Sequence, residues 1–441
     1  MKKALSVLLA ALLLAALCGC TDIVIGASND GSTGAGGSDE RVITLNGDSA
    51  SYPGGGVSVN GSVVTISAPG EYTVRGTLDD GRIIIDTGEN TGNVYLTLDG
   101  ADITCLTDSA IYVAQAKNVD IILAAGSVNR VASGTETDLA TFNALTASGA
   151  AIYAKDDLDI KGDGSLEIYG YLNNGVTCKD DLAVKGGSLR IVAANNGLRG
   201  SESVCISGGS VSISAGNDGV KSTSAKKEGK GFVEISGGEL TVACGGDGVS
   251  AETELTVSGG SISVLTTGDP GYVSCKGLKA KTGLSVTGGE LTVQSADHAV
   301  YSAEDMTIEG GVIHAVSGGD GLHAGKKGTG FEAATGVVTI NGGQLYVSAQ
   351  GDPIDAKGAL IVNGGELLAL GNSKSVKGFS DSSAQASLTL SADGAGGKTA
   401  SIQDAAGVEL ASLQASYAFH TVLYSSPALN ADGSYRVTVT G

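Results

Sequence analysis

Residues 245–260 read Gly-Gly-Asp-Gly-Val-Ser-Ala-Glu-Thr-Glu-Leu-Thr-Val-Ser-Gly-Gly. Two signatures lie in this stretch, and both recur along the chain. The first is an alternating run into a Gly-Gly pair and out again, here Leu255-Thr-Val257-Ser-Gly-Gly-Ser-Ile262-Ser-Val264. Alternation of period two describes a short strand with one buried face. Gly-Gly pairs begin at Gly186, Gly208, Gly237, Gly259, Gly288, Gly310, Gly342 and Gly364, in steps of 22, 29, 22, 29, 22, 32 and 22. The period is therefore 22, with insertions of 7, 7 and 10 residues. The second signature, here Asp247-Gly-Val249, recurs at Asn174-Gly-Val176, Asn196-Gly-Leu198, Asp218-Gly-Val220 and Asp320-Gly-Leu322. Degenerate copies are Lys276-Gly-Leu278, His298-Ala-Val300 and Asp352-Pro-Ile354.

A strand of a few residues cannot bury its apolar face alone. Stacking each strand on its counterpart one repeat away solves this, and a 22-residue unit holds three strands and three turns. The expected fold is all-β: a right-handed, single-stranded parallel β-helix of about ten coils, roughly 45–50 Å long at ~4.8 Å per rung. Weaker copies extend upstream, where Ile152-Tyr-Ala-Lys-Asp-Asp-Leu-Asp-Ile160 parallels Val176-Thr-Cys-Lys-Asp-Asp-Leu-Ala-Val184. Ile111-Tyr-Val with Val119-Asp-Ile121 suggests an earlier coil, and 132–149 a longer loop. The expected domain is 41–380, in which 41–80 form an N-terminal β cap; 381–441 form a small β unit over the open end, protecting its strand edges. Composition agrees. The 441 residues include 70 Gly, 5 Pro and no Trp. Glycine disfavours long helices, scarce proline without a Gly-X-Y period excludes collagen, and 41% apolar content argues against disorder.

Residues 1–20 have the form of a signal: Lys2 and Lys3, an apolar run from Leu5 to Leu17, then Leu17-Cys-Gly-Cys20. This resembles a bacterial lipoprotein signal, which implies lipidation at Cys20, a flexible tether over 21–40 and anchoring on the outer face of the membrane. Removal of 1–19 leaves 25 basic against 47 acidic residues. Such a surface disfavours nucleic acid and suits divalent cations. Cys105, Cys178, Cys205, Cys244 and Cys275 are irregularly spaced and read as small buried residues, with room for one disulfide.

In a stacked fold, equivalent residues form ladders. The residue before the turn glycine gives Asn174, Asn196, Asp218, Asp247, Lys276, His298, Asp320 and Asp352. The preceding column adds Asn195, Asn217 and Asp297. Outward carboxylates one rung apart repel, and a bridging hard cation such as calcium relieves them. The candidate metal ligands are therefore Asn195, Asn196, Asn217, Asp218, Asp247, Asp297, Asp320 and Asp352. The alternative is that Asp and Asn merely favour tight turns. Two residues past the glycine, a second outward ladder carries Arg199, Lys221, Lys279, Tyr301 and His323. Cations and a ring beside calcium-ready carboxylates suit an acidic, uronate-containing polysaccharide; the alternative is local charge balance. Lys226-Lys-Glu-Gly-Lys-Gly-Phe232 and Lys326-Lys-Gly-Thr-Gly-Phe331 leave the repeat at equivalent points, as surface loops or as one wall of a groove.

The stretch 217–222, Asn-Asp-Gly-Val-Lys-Ser, the stretch 245–260, and Ile43-Thr-Leu-Asn-Gly resemble the bacterial cell-surface carbohydrate-binding domain-containing β-helix proteins. The resemblance covers roughly 41–375. It implies a polysaccharide-lyase-like fold, bound calcium, and binding of acidic sugars and cellulose. Lys276, His298 and Pro353 depart from the Asp-Gly pattern, so any calcium ligands of the family are in doubt in those coils. The expected function is non-catalytic, calcium-dependent binding of polysaccharide by a monomeric surface lipoprotein. Two alternatives stay open. A pectate-type lyase would use Arg199, Lys221 or Lys279 as base beside calcium. A structural adhesin would bind no soluble sugar.

Overall fold

A computed structural model of the chain describes residues 41–88, 92–141, 149–326, 334–430 and 432–441. The signal, Cys20, the tether 21–40 and residues 327–331 of the second Lys insertion lie outside the described residues. Residues 41–441 form one compact unit. It is all-β apart from the short helix Glu136–Ala140. Its strands gather, among the described residues, into sheets of 26, 13 and 3 strands.

The two large sheets are mostly parallel, and the repeat dictates their pairing. In the 13-stranded sheet Val176 faces Leu198, Leu198 faces Val220, and the column continues through Val249, Leu278, Val300 and Leu322 to Ile354. In the 26-stranded sheet, Leu189 starts a column through Val211, Leu240, Ile262, Leu291, Ile313 and Leu345 to Leu367. All of these side chains are buried and belong to a single core cluster that runs the length of the stack. Each strand thus pairs with its counterpart one repeat away, as parallel pairing with intervening connections requires.

The Gly-Gly pair has two separate physical reasons. A β-carbon on its first glycine would meet backbone of the preceding rung, as at Gly259, 2.5 Å from the Ser236 carbonyl oxygen. Its second glycine takes positive φ, +87° at Gly260, where side chains are strained.

Residues 41–80 supply strands to the same ladders. Val63–Ile66 pairs in parallel with Arg82–Asp86, and Gly70–Leu78 with Val94–Cys105; Ala50–Ser51 lies antiparallel on Val42–Gly47, and Val57–Asn60 antiparallel on Val63–Ile66. At the other end, Phe419–Ser425 lies antiparallel on Glu366–Gly371. Leu368, Leu370, Phe419, Val422 and Tyr424 bury one another there, in a second cluster that includes Ala400 and Ile402. The last parallel strand is thereby covered along its edge and its outer face. All five cysteines are buried, as their reading as small buried residues expected, and Cys105, Cys178, Cys244 and Cys275 are free thiols.

Candidate functional site

The column before the turn glycine was expected to point outward, and that expectation is corrected. Asn196, Asp218 and Asp247 are buried, at 4%, 3% and 2% exposure. The reason is hydrogen bonding from one rung to the next. The Asn174 side-chain carbonyl accepts the Asn196 N–H at 3.0 Å, and Asn196 accepts the Asp218 N–H at 3.2 Å. Asp218 accepts the Asp247 N–H at 2.8 Å, and Asp247 accepts the Lys276 N–H at 2.9 Å. Lys276 has no acceptor to continue the series. It resumes when His298 Nδ1 accepts the Asp320 N–H at 3.0 Å and Asp320 accepts the Asp352 N–H at 2.9 Å. Each rung needs a short side-chain acceptor, and Asp, Asn or His provides one. The neighbouring column behaves alike: Asn195 donates to Asn173 at 2.9 Å, and Asn217 to Asn196 at 3.2 Å.

The two ladders also neutralise each other. Lys221 pairs with Asp218 at 2.5 Å, Lys279 with Asp247 at 2.6 Å, and Lys276 with Asp297 at 2.6 Å. His323 lies 3.1 Å from Asp320 and 3.4 Å from Asp355. Burial opposes its protonation, but these two carboxylates outweigh burial and raise its pKa to about 9. Among the expected sugar-binding residues, Arg199 and Tyr301 carry no ion pair among the described residues. Tyr301 stacks on His323 at 5.2 Å and on His298 at 5.8 Å.

Three carboxylates, Asp320, Asp352 and Asp355, bring oxygens within 4.8 Å of one another; His298, Asp320 and His323 form an overlapping group. Asp355 is held at about 2: burial opposes its ionisation, but hydrogen bonds from His323 and Lys357 prevail. Asp352 moves the other way. Burial raises its pKa, a Ser373 hydrogen bond offsets part of this, and Asp320 and Asp355 add repulsion. It has no ion pair among the described residues. Three oxygen donors around one uncompensated acid fit a hard cation. Asp320 and Asp355 hold His323 and Lys357 much as Asp218 and Asp247 hold lysines, so the distinction rests on Asp352, which has no ion pair among the described residues.

The outward ladder extends further upstream than the Asn/Asp-Gly signature reveals. Tyr112 faces Tyr153, Tyr153 faces Thr177, and Thr177 faces Arg199, after which Lys221, Ser250, Lys279, Tyr301, His323 and Asp355 follow. The Tyr112 and Tyr153 rings lie 5.7 Å apart at 32°. They border an open depression of about 450 Å³, lined also by Arg82, Asp108, Ser109 and Gly149. Arg82 bonds Asp108 at 2.6 Å and lies 5.2 Å from the Tyr112 centroid. Lys155 stands 5.6 Å from Tyr112, and Lys179 6.0 Å from Tyr153. Rings, cations and a hydroxyl thus meet at one concave place. Ile111-Tyr-Val and Ile152-Tyr-Ala carry the signal for it in sequence, because the middle residue of an alternating triplet points outward.

Among known proteins, the family described as carbohydrate-binding domain-containing protein matches residues 60–321. A carbohydrate-binding domain-containing protein of Acetivibrio thermocellus is 37% identical over 140 residues, 31% of this chain and 48% of that protein. The match spans about half that relative's length. Among solved structures, the polysaccharide lyase-like protein from C. thermocellum, as a gadolinium derivative, is 26% identical with a TM-score of 0.42. That alignment covers 74% of this chain and 99% of that one.

Proposed function

This chain belongs to the carbohydrate-binding domain-containing protein family, and we propose that it is a non-catalytic binder of acidic polysaccharide. The polymer would lie along the outer face of the 13-stranded sheet. The observation that carries this reading is the register of one outward column, which begins at a tyrosine-lined, cation-rimmed depression and reaches Arg199 two rungs later. Pyranose rings pack on aromatic faces, and uronate carboxylates accept hydrogen bonds from guanidinium and ammonium groups. The site is thus shifted towards the upstream half of the column, because Lys221, Lys279 and His323 are engaged with acids downstream.

The pairing of each strand with its counterpart one repeat away supports the finer fold reading, a single right-handed parallel β-helix of about ten coils. Calcium belongs at Asp320, Asp352 and Asp355, where the uncompensated Asp352 favours it. The Leu17-Cys-Gly-Cys20 signal supports lipid anchoring on the outer face of the bacterial membrane.

Incubation with polygalacturonate and calcium, followed by pull-down and ultraviolet absorbance, tests the reading. Retention without unsaturated product is expected. Accumulating absorbance would make the protein a lyase, and neither signal would leave a structural adhesin. In calorimetry on metal-stripped protein, calcium should release or absorb heat at millimolar concentration, and Asp352→Asn should remove that heat. Unchanged heat in the variant would move calcium elsewhere.

A further inference from the structure

Two of the three insertions that interrupt the repeat fall at opposite ends of the short strands of the same sheet face. The first, residues 223–231, leaves the downstream end of the strand Val220–Ser222. It is tied back by Lys230, which pairs with Asp181 at 2.7 Å and Glu202 at 3.1 Å, and by a second ion pair from Lys227 to Glu202. The second insertion, residues 267–277, precedes the strand Leu278–Ala280 at its upstream end. Between them runs the outward column at Lys221, Ser250 and Lys279. The column at this level is thus flanked by a loop at each end of its strands.

The second insertion is built to present a side chain. Asp269-Pro-Gly forms a tight turn: the Asp269 carbonyl accepts the Tyr272 N–H at 2.9 Å and the Val273 N–H at 3.0 Å, and its carboxylate accepts the Gly271 N–H at 2.8 Å. Two residues beyond Tyr272, Ser274 docks on the column, donating to Asp247 at 2.7 Å and accepting from Lys279 at 3.0 Å. Tyr272 stands between these two fixed points and is 88% exposed, with Val273 at 46%. No other large apolar or aromatic side chain named among the exposed residues reaches that value. Held in water between these two points, the ring is presented to whatever lies along the column.

We infer that Tyr272 is a sugar-stacking residue on the loop flanking Lys221, Ser250 and Lys279, contacting the polysaccharide downstream of the Tyr112/Tyr153 depression. This rests on the reading that the polymer follows the outward column. Lys279 turns towards the same loop while paired with Asp247, so a sugar packed on the Tyr272 ring would meet hydrogen-bonding groups there rather than a free cation. The occupant is a pyranoside chain, because the ring's loop is docked through Ser274 on a row of hydrogen-bonding groups.

The test is affinity electrophoresis of the full chain through gels with polygalacturonate, and through parallel gels with soluble neutral β-glucan. Tyr272→Ala should weaken retention by roughly three- to tenfold, and Tyr272→Phe by less than about twofold. Bound polymer should also protect Tyr272 from nitration, read by peptide mass. If Tyr153→Ala loses retention while Tyr272→Ala keeps it, this inference fails and the reading beneath it stands. If only the neutral polymer is retained, with Tyr272→Ala sensitive, Tyr272 keeps its role and the uronate preference fails. Retention in neither gel overturns both.

Discussion

At the residue scale, the glycine after each Asp or Asn is a packing requirement. A β-carbon at Gly248 would lie 2.2 Å from Val264 Cγ1; the same conflict recurs between Gly219 and Val242 and between Gly277 and Val293. Where the turn carries Ala299 in place of glycine, the register puts Ala315 at the facing position, and for Pro353 it puts Ala369. The two degenerate copies are thus compensated substitutions. Gly248→Ala should cost about 1–3 kcal/mol as overpacking, and adding Val264→Ala should recover part of it. Thermal unfolding of the two variants measures this, and no recovery would refute the pairing. The Asn/Asp-Gly pattern was readable in the sequence because it recurs; its partner in the facing wall was not, because that residue lies some 16 positions further on in the chain, at Val264 for Gly248. The buried thiols give a second prediction. Burial pushes Cys178 and Cys244 up to about 12. A raised pKa stabilises the fold fully below the ordinary thiol value near 9, and this contribution is lost as pH climbs through about 12. Native protein at pH 9 should therefore resist iodoacetamide at both residues, whereas denatured protein reacts.

At the scale of elements, strands and turns were legible where alternation and Gly-Gly mark them. The direction of the Asp/Asn column was not. Period two fixes the side of a strand residue, but these residues occupy a turn, where a hydrogen bond to the next rung decides orientation. The series from Asn174 to Lys276 satisfies backbone N–H groups that would otherwise be buried without partners. Asp247 does most: it accepts from Lys276 N–H, Ser274 and Lys279. Asp247→Leu should cost about 1–3 kcal/mol by orphaning buried donors, and should raise proteolysis within 267–277. Asp247→Asn, which keeps one acceptor, should lose less. Equal losses would mean that the carboxylate's packing, not its hydrogen bonds, matters. The candidate calcium site lies at the downstream end of the same column, where Asp320 still accepts the Asp352 N–H and Asp352 has no ion pair among the described residues.

For the whole molecule, a stack of this kind exposes strand edges at its ends, and the segment after residue 380 deals with one of them. Phe419–Ser425 occupies the edge of Glu366–Gly371, and Tyr424, Phe419 and Val422 cover Leu368 and Leu370. Ending the chain at residue 380 should leave an open edge and an apolar patch, so light scattering should report association on warming that the full chain lacks. A monodisperse truncated protein would refute the capping role. The long outward column, with a tyrosine depression at its upstream end, gives the molecule a directional surface suited to a linear polymer. That surface is the central claim, and a crystal structure with an oligogalacturonate and calcium tests it most directly. Sugar density is predicted over Tyr112, Tyr153 and Arg199, extending towards Tyr272. Sugar bound instead on an outer face of the 26-stranded sheet, with the tyrosine depression empty, would contradict it.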